Sequence, residues 1–157
     1  MISLETGIRR GECFPLQWPA VDWSNSEITI RGEDPKSRTT RIVHLSTTAK
    51  TVLRDWWMQN GQSKKGYVFT HPDGAQLANL RKPFDSLLKR ADIKKRTLKG
   101  SASWHGLRHT FGSAMVRRTD LETVRDLMGH ASVTTTAQYL HTDEDRKRAA
   151  IMQGSVV

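Results

Sequence analysis

Residues 27–45 read EITIRGEDPKSRTTRIVHL. Glu27 to Arg31 and Arg41 to Leu45 are rich in β-branched residues and alternate, as strands do. Between them, GEDPKSRTT carries the turn formers Gly32, Asp34 and Pro35. The stretch predicts a β-hairpin with Lys36 near its tip. Downstream, residues 46 to about 59 predict a helix carrying Val52, Leu53 and Trp56. Tyr67-Val68-Phe69 predicts a short strand, ended by the turn residues of HPDG. Leu80, Phe84, Leu87, Leu88 and Ala91 then recur at helical spacing, as do Leu107, Phe111, Ala114 and Met115. Thr119 to Glu122 reads as a capping box. It opens a short helix with Leu121, Val124, Leu127 and Met128 on one side and Gly129 as its stop. Ser132 caps a further helix, with Val133, Ala137 and Leu140 as its apolar stripe. Upstream, Ile2 and Leu4 run into a Thr6-Gly7 stop and read as the end of a helix. The predicted class is α+β and mainly helical, with a small antiparallel sheet near the N-terminal side.

The 157 residues suffice for one domain with one core. No apolar run approaches the roughly 20 residues of a membrane helix. The first residues lack the layout of a signal peptide. The single cysteine, Cys13, excludes an internal disulfide and suits a reducing compartment. The expected location is therefore the cytoplasm. Lysine and arginine number 25 against 16 aspartate and glutamate, a net charge of +9. Such an excess favours a polyanionic partner, nucleic acid first.

Several stretches carry chemistry. Tyr139 lies off the Val133/Ala137/Leu140 stripe, near Thr135 and Thr136, and reads as half-exposed; Tyr67 reads as the packed tyrosine. A phenol with a pKa near 10 is a poor nucleophile unless cations stabilise its oxygen. In WHGLRHTF (104–111), His105 and Arg108 are three apart and share a helix face. An arginine fork suits a phosphate, and an imidazole donates to or exchanges protons with its oxygens. His105 and His109 have the spacing of two zinc ligands. However, Gly106 stands where a glutamate base would be, and no CxxC accompanies them, so no metal is expected. In ETGIRRGE (5–12), Gly7 permits a sharp turn that displays Arg9, and Glu12 can orient an arginine. Lys94, Lys95, Arg96 and Lys99 form a basic run suited to phosphates, which position a protein without specifying sequence. Taken singly, each feature has an ordinary reading as a surface ion pair or a solvated side chain. Taken together they supply what metal-free phosphodiester cleavage requires: cations, proton donors and a nucleophile.

TGIRRGE, PKSR, HGLRHTF, LMGH and TTTAQYLH stand in this order and at these approximate spacings in a chain that resembles the tyrosine recombinases (phage integrase family). The resemblance runs from Leu4 to about Ala150. It implies the fold of that family's catalytic domain. It also implies catalytic roles for Arg9, Lys36, His105, Arg108, His130 and Tyr139, with Glu12 in support. Tyr139 would be the nucleophile. Arg9, Arg108 and His130 would stabilise the phosphate, Lys36 would protonate the leaving 5′ oxygen, and His105 would assist proton transfer. The implied product is a 3′-phosphotyrosyl link on double-stranded DNA, made without metal, ATP or cofactor.

Relatives carry a separate DNA-clamping domain and opening helices before TGxR. The resemblance therefore implies that residues 1–157 are a single catalytic domain, a fragment of a longer design, nucleoid-associated in the cell. It further implies a tetramer on DNA in which a tail with Ala149, Ala150, Ile151 and Met152 docks on a neighbouring subunit; packing within the chain is the alternative. Three other functions compete. They are a catalytically silent DNA-binding remnant, a type IB-like topoisomerase, and a zinc-dependent hydrolase, which elemental analysis would detect.

Overall fold

The computed structural model describes residues 1–32, 40–71, 73–77, 81–93, 96–97, 100–101, 103–139 and 152, with the backbone alone at 96–97 and 100–101. Two short helices, α1 (Ile2–Thr6) and α2 (Arg10–Cys13), precede strands β1 (Val21–Asp22), β2 (Glu27–Arg31) and β3 (Thr40–His44). Helices α3 (Thr47–Gln59) and α4 (Arg81–Arg90) follow, then a two-residue ribbon of β4 (Arg96–Thr97) and β5 (Gly100–Ser101). The chain continues through α5 (Trp104–Met115), α6 (Leu121–Met128) and α7 (Val133–Ala137). No described helix is long and apolar enough to cross a membrane.

The sheet has the order β1-β2-β3 and is antiparallel throughout. Ile28 pairs with Val43 and Ile30 with Arg41, so these four side chains share the inward face. Ile28, Ile30 and Val43 are buried there with Leu53 of α3 and Ile8 after α1. Burying such a side chain contributes about 1.5–3 kcal/mol. Ile42, one position out of phase, faces solvent at 41% exposure.

A second, smaller core joins α5, α6 and the segment after α7 through Phe111, Val116, Val124, Met128 and Tyr139. Gly7 links the two. It takes φ +64 at the end of α1, and a Cβ there would overlap the Phe111 ring. Only glycine meets both demands at low cost.

Three expectations are corrected. Tyr67-Val68-Phe69 forms no strand; Tyr67 makes one isolated bridge to Gln17, while Val68 is held by its own N–H to Leu16 O and by Trp56 Nε1 donating to its carbonyl. The cap of α6 is Asp120, which accepts from Thr123 N at 2.8 Å, and not Thr119. In α7, Val133 and Ala137 of the proposed stripe are exposed, whereas Thr136 is buried; Leu140 lies outside the described residues.

Candidate active site

Arg9 follows the Gly7 turn as the residue capping α2. Glu12, in the first turn of α2, accepts from the Arg9 backbone N–H at 2.8 Å and from Arg9 Nη1 at 2.9 Å. Its carboxylate also takes Arg41 Nη2 at 2.7 Å and, more loosely, Arg41 Nε at 3.4 Å. Burial works to raise the Glu12 pKa, but the hydrogen bonds from Arg41 and Arg9 outweigh it and hold the pKa below the ordinary carboxylate value. Glu12 is therefore a fixed anion between two guanidiniums.

Arg108 sits on α5 at 3% exposure, capped into its helix by Ser103, whose hydroxyl accepts from Gly106 N at 3.1 Å. Its Nη1 donates to Gly7 O, and its Nη2 to Met128 O at 2.6 Å. Burial, then the charges of Arg9 and Arg41, push its pKa down to about 10. It remains a cation at neutral pH.

These arginines converge on the end of α6. The last carbonyls of a helix have no partner within it and carry its negative dipole end. Here the carbonyls of Arg125 and Asp126 accept from the N–H groups of His130 and Gly129, each at 3.0 Å. The next three take one arginine apiece: Leu127 O from Arg41 Nη1 at 3.2 Å, Met128 O from Arg108 and Gly129 O from Arg9. Gly129 turns the chain at φ +63 and delivers His130 beside them.

His130 Nδ1 lies 2.9 Å from the buried Thr136 Oγ1. Its ring is nearly parallel to that of Tyr139, centroids 6.1 Å apart. Burial, then the charges of Arg108, Arg9 and Arg41, lower its pKa to about 4. His130 is thus neutral at pH 7. Between about pH 6.5 and pH 4 the unfolded chain binds a proton that the folded chain refuses, so His130 makes stability fall as pH is lowered through that window. Its ring protons are expected to titrate near pH 4 by NMR. A midpoint near 6.5 would mean that the three arginines exert no net field on His130. A phosphodiester added to the site brings negative charge and is expected to raise the midpoint.

Tyr139 departs most from expectation. It is 1% exposed, whereas Tyr67 is half-buried. Helix α7 ends at Ala137, and Tyr139 N donates to Thr136 O at 3.0 Å in the following turn, so the helical periodicity no longer sets where its ring points. The ring enters the second core against Gly112, where a Cβ would lie 2.9 Å from Tyr139 Cε1. His109 meets it edge to face at 4.6 Å. Its hydroxyl is buried without a hydrogen bond of ordinary geometry among the described residues. Burial raises the phenol pKa, against the nearby Arg108, the Gln138 side chain and Arg9.

His105 is exposed one helical turn before His109, ring centroids 5.5 Å apart, and borders a pocket of about 330 Å³ together with Arg108. A larger cleft of about 1070 Å³ is lined by Arg9, Glu12, Arg41 and His130, together with Gly32 and Thr40, the described ends of the hairpin turn. Lys36 itself lies outside the described residues, as do Lys94, Lys95, Lys99 and the tail at 149–151; for Arg96 only the backbone is described. The structure places Arg9, Glu12 and His130 on the larger cleft, His105 and Arg108 on the smaller pocket, and Tyr139 in the second core beside His109 and His130. It adds Arg41, which sequence reasoning missed. The signal was an arginine in phase with Val43 on the inward face of an alternating strand.

A model of the phage integrase family matches residues 1–146. The tyrosine recombinase XerC of Oceanobacillus iheyensis is 30% identical over 159 residues, covering 94% of this chain and 49% of that protein. The crystal structure of XerA recombinase matches with a TM-score of 0.76 at 25% identity, over 96% of this chain and 55% of that one. The XerH site-specific recombinase, in a pre-cleavage complex with its difH substrate, matches with a TM-score of 0.73 at 27% identity, over 96% of this chain and 44% of that one. The chain spans about half the length of the curated relatives it matches.

Proposed function

The chain belongs to the phage integrase family, the tyrosine recombinases, and from that membership we propose that it is a catalytic domain that cuts and rejoins DNA through a covalent tyrosyl phosphate. The observation that supports this best is the gathering of Arg9, Arg108 and His130 at the end of α6, with the Tyr139 ring stacked on His130. In the proposed step, Tyr139 Oη bonds to the scissile phosphorus as the bond from phosphorus to the 5′ oxygen breaks. His105 takes part in removing the phenol proton, and Lys36 gives one to the departing 5′ oxygen. Arg9 and Arg108 offset the charge on the non-bridging oxygens. In the tautomer this step requires, His130 Nδ1 accepts from the Thr136 hydroxyl and the proton on Nε2 faces the phosphate. A 5′ hydroxyl from a second duplex then reverses the reaction and exchanges strands, with no net loss of a phosphodiester bond.

The partner is double-stranded DNA. Net charge of +9 and the DNA-bound XerH relative support it. Lys94, Lys95, Arg96 and Lys99 contact the backbone, and the domain works in the cytoplasm at the nucleoid as part of a tetramer joined through its tail. One observation favours a second reading, a catalytically silent DNA-binding remnant: the Tyr139 hydroxyl is buried.

Wild type and Tyr139→Phe, each mixed in EDTA with nicked duplexes taken from the DNA flanking the gene, separate the two readings on denaturing gels. A protein–DNA adduct with wild type alone is expected. Salt-sensitive binding with no adduct from either protein would overturn the enzymatic reading in favour of the remnant.

A further inference from the structure

Arg41 is the third arginine on the end of α6, and none of the motifs that mark the family here includes it. Its side chain is only 17% exposed. Nε, Nη1 and Nη2 all donate inside the protein, two of them to Glu12 and one to Leu127 O. All three of its nitrogens are thus engaged inside the protein. Arg9, by contrast, keeps 42% of its side chain exposed beside the same carboxylate.

The position is built to hold this side chain. Arg41 pairs with Ile30 across the sheet, which turns it inward. It then passes over Gly129 so closely that a Cβ there would lie 2.6 Å from Arg41 Cδ and 2.8 Å from Nε. The glycine that stops α6 at positive φ thus also makes room for a guanidinium arriving from the sheet. Arg41 clasps three parts of the site at once: the hairpin that leads to Lys36, the carboxylate that orients Arg9, and the turn that carries His130.

We propose that Arg41 is a positioning residue for phosphate chemistry, fixing Arg9 through Glu12 and fixing the His130 turn through Leu127 O and Gly129. The proposal rests on the functional reading above. A guanidinium is required because one planar fork must meet a carboxylate and a carbonyl together. Lysine keeps the charge and loses the fork.

The test compares wild type, Arg41→Lys, Glu12→Gln and the double variant in single-turnover cleavage of a nicked duplex. Equilibrium binding to the same DNA and thermal unfolding are measured in parallel. Arg41→Lys is expected to slow cleavage by roughly 10–100-fold, the scale of a small misplacement of catalytic groups. Binding should stay within about 3-fold, because Arg41 does not itself meet the phosphate. Because both residues act through one linkage, the double variant should be about as slow as the slower single variant, not slower by the product of the two effects. Wild-type cleavage by Arg41→Lys, or independent multiplication of the two effects, would overturn the proposal.

A second readout stands apart from cleavage, so that an inactive wild-type chain would count against the functional reading without leaving the Arg41 proposal open. The Arg9 Nη–H signals in nitrogen-15 NMR, whose protons Glu12 and Gly129 O hold, are expected to exchange with water about 10-fold faster in Arg41→Lys than in wild type, the scale of one weakened hydrogen bond. An unchanged rate, with wild-type Tm, would mean that Arg41 staples the sheet to α6 and does not position Arg9.

Discussion

Arg108→Ala is expected to lower the free energy of unfolding by about 2–5 kcal/mol, the scale of two buried carbonyls left without a donor. The groups left behind set the cost. Gly7 O and Met128 O lose their donor in a place closed to water. Each carbonyl left unsatisfied costs about 1–3 kcal/mol, and the vacated guanidinium leaves a void. One term opposes this: removing Arg108 relieves its burial and its repulsion from Arg9 and Arg41, the same influences that bring its pKa to about 10. That relief is smaller, since the hydrogen bonds to two carbonyls already compensate the buried cation. Arg108→Lys keeps the charge but cannot span both carbonyls, so it should lose less, about 1–2 kcal/mol. Urea unfolding followed by circular dichroism checks both. An alanine variant within about 0.5 kcal/mol of wild type, the range of an ordinary surface change, would contradict the buried network.

Gly112→Ala is expected to separate stability from chemistry. A Cβ at 112 would stand 2.9 and 3.0 Å from Tyr139 Cε1 and Cδ1, and 3.0 Å from Met128 Sδ. The methionine can rotate away, but the aromatic ring must move as a body. Overpacking costs about 1–3 kcal/mol, and the better helix propensity of alanine within α5 returns up to about 1 kcal/mol. The fold should survive. Tyr139, stacked on His130 in the native seat, should not keep its place relative to Arg9 and Arg108. A shift of about 1 Å costs on the order of 100-fold in rate. The covalent adduct should therefore form at least that much more slowly, while Tm falls by several degrees at most. Adduct formation at the wild-type rate would mean that the seat seen here does not matter to the reacting state.

Much of this was readable in one dimension. The alternation in EITIR set β2 and buried Ile28 and Ile30; β3 lies within one residue of its predicted bounds. The helices over 47–59, 104–115 and 121–128 follow from apolar spacing, while Gly7 and Gly129 end α1 and α6 and Ser132 caps α7 as local chemistry requires. The ordered motifs identified the family, and they include Arg9, Glu12 and His130, which line the larger cleft. Glu12 bonding Arg9 was legible as well, because the two are three residues apart on one helical turn.

What the sequence determined by itself was local: strand and helix periods, caps, charge, and the order of the chemical groups. Tertiary structure alone decided the rest. Tyr139 looked half-exposed only while a helix was assumed to continue through it; its burial depends on an α5 glycine 27 positions earlier leaving room for the ring. Arg41 reaches Glu12 across 29 residues and Leu127 across 86, and Arg9 reaches Gly129 across 120. No period or spacing encodes such pairs. They arise because the end of α6 exposes carbonyls that must find donors once water is excluded, and folding brings three arginines from three different elements within reach of them.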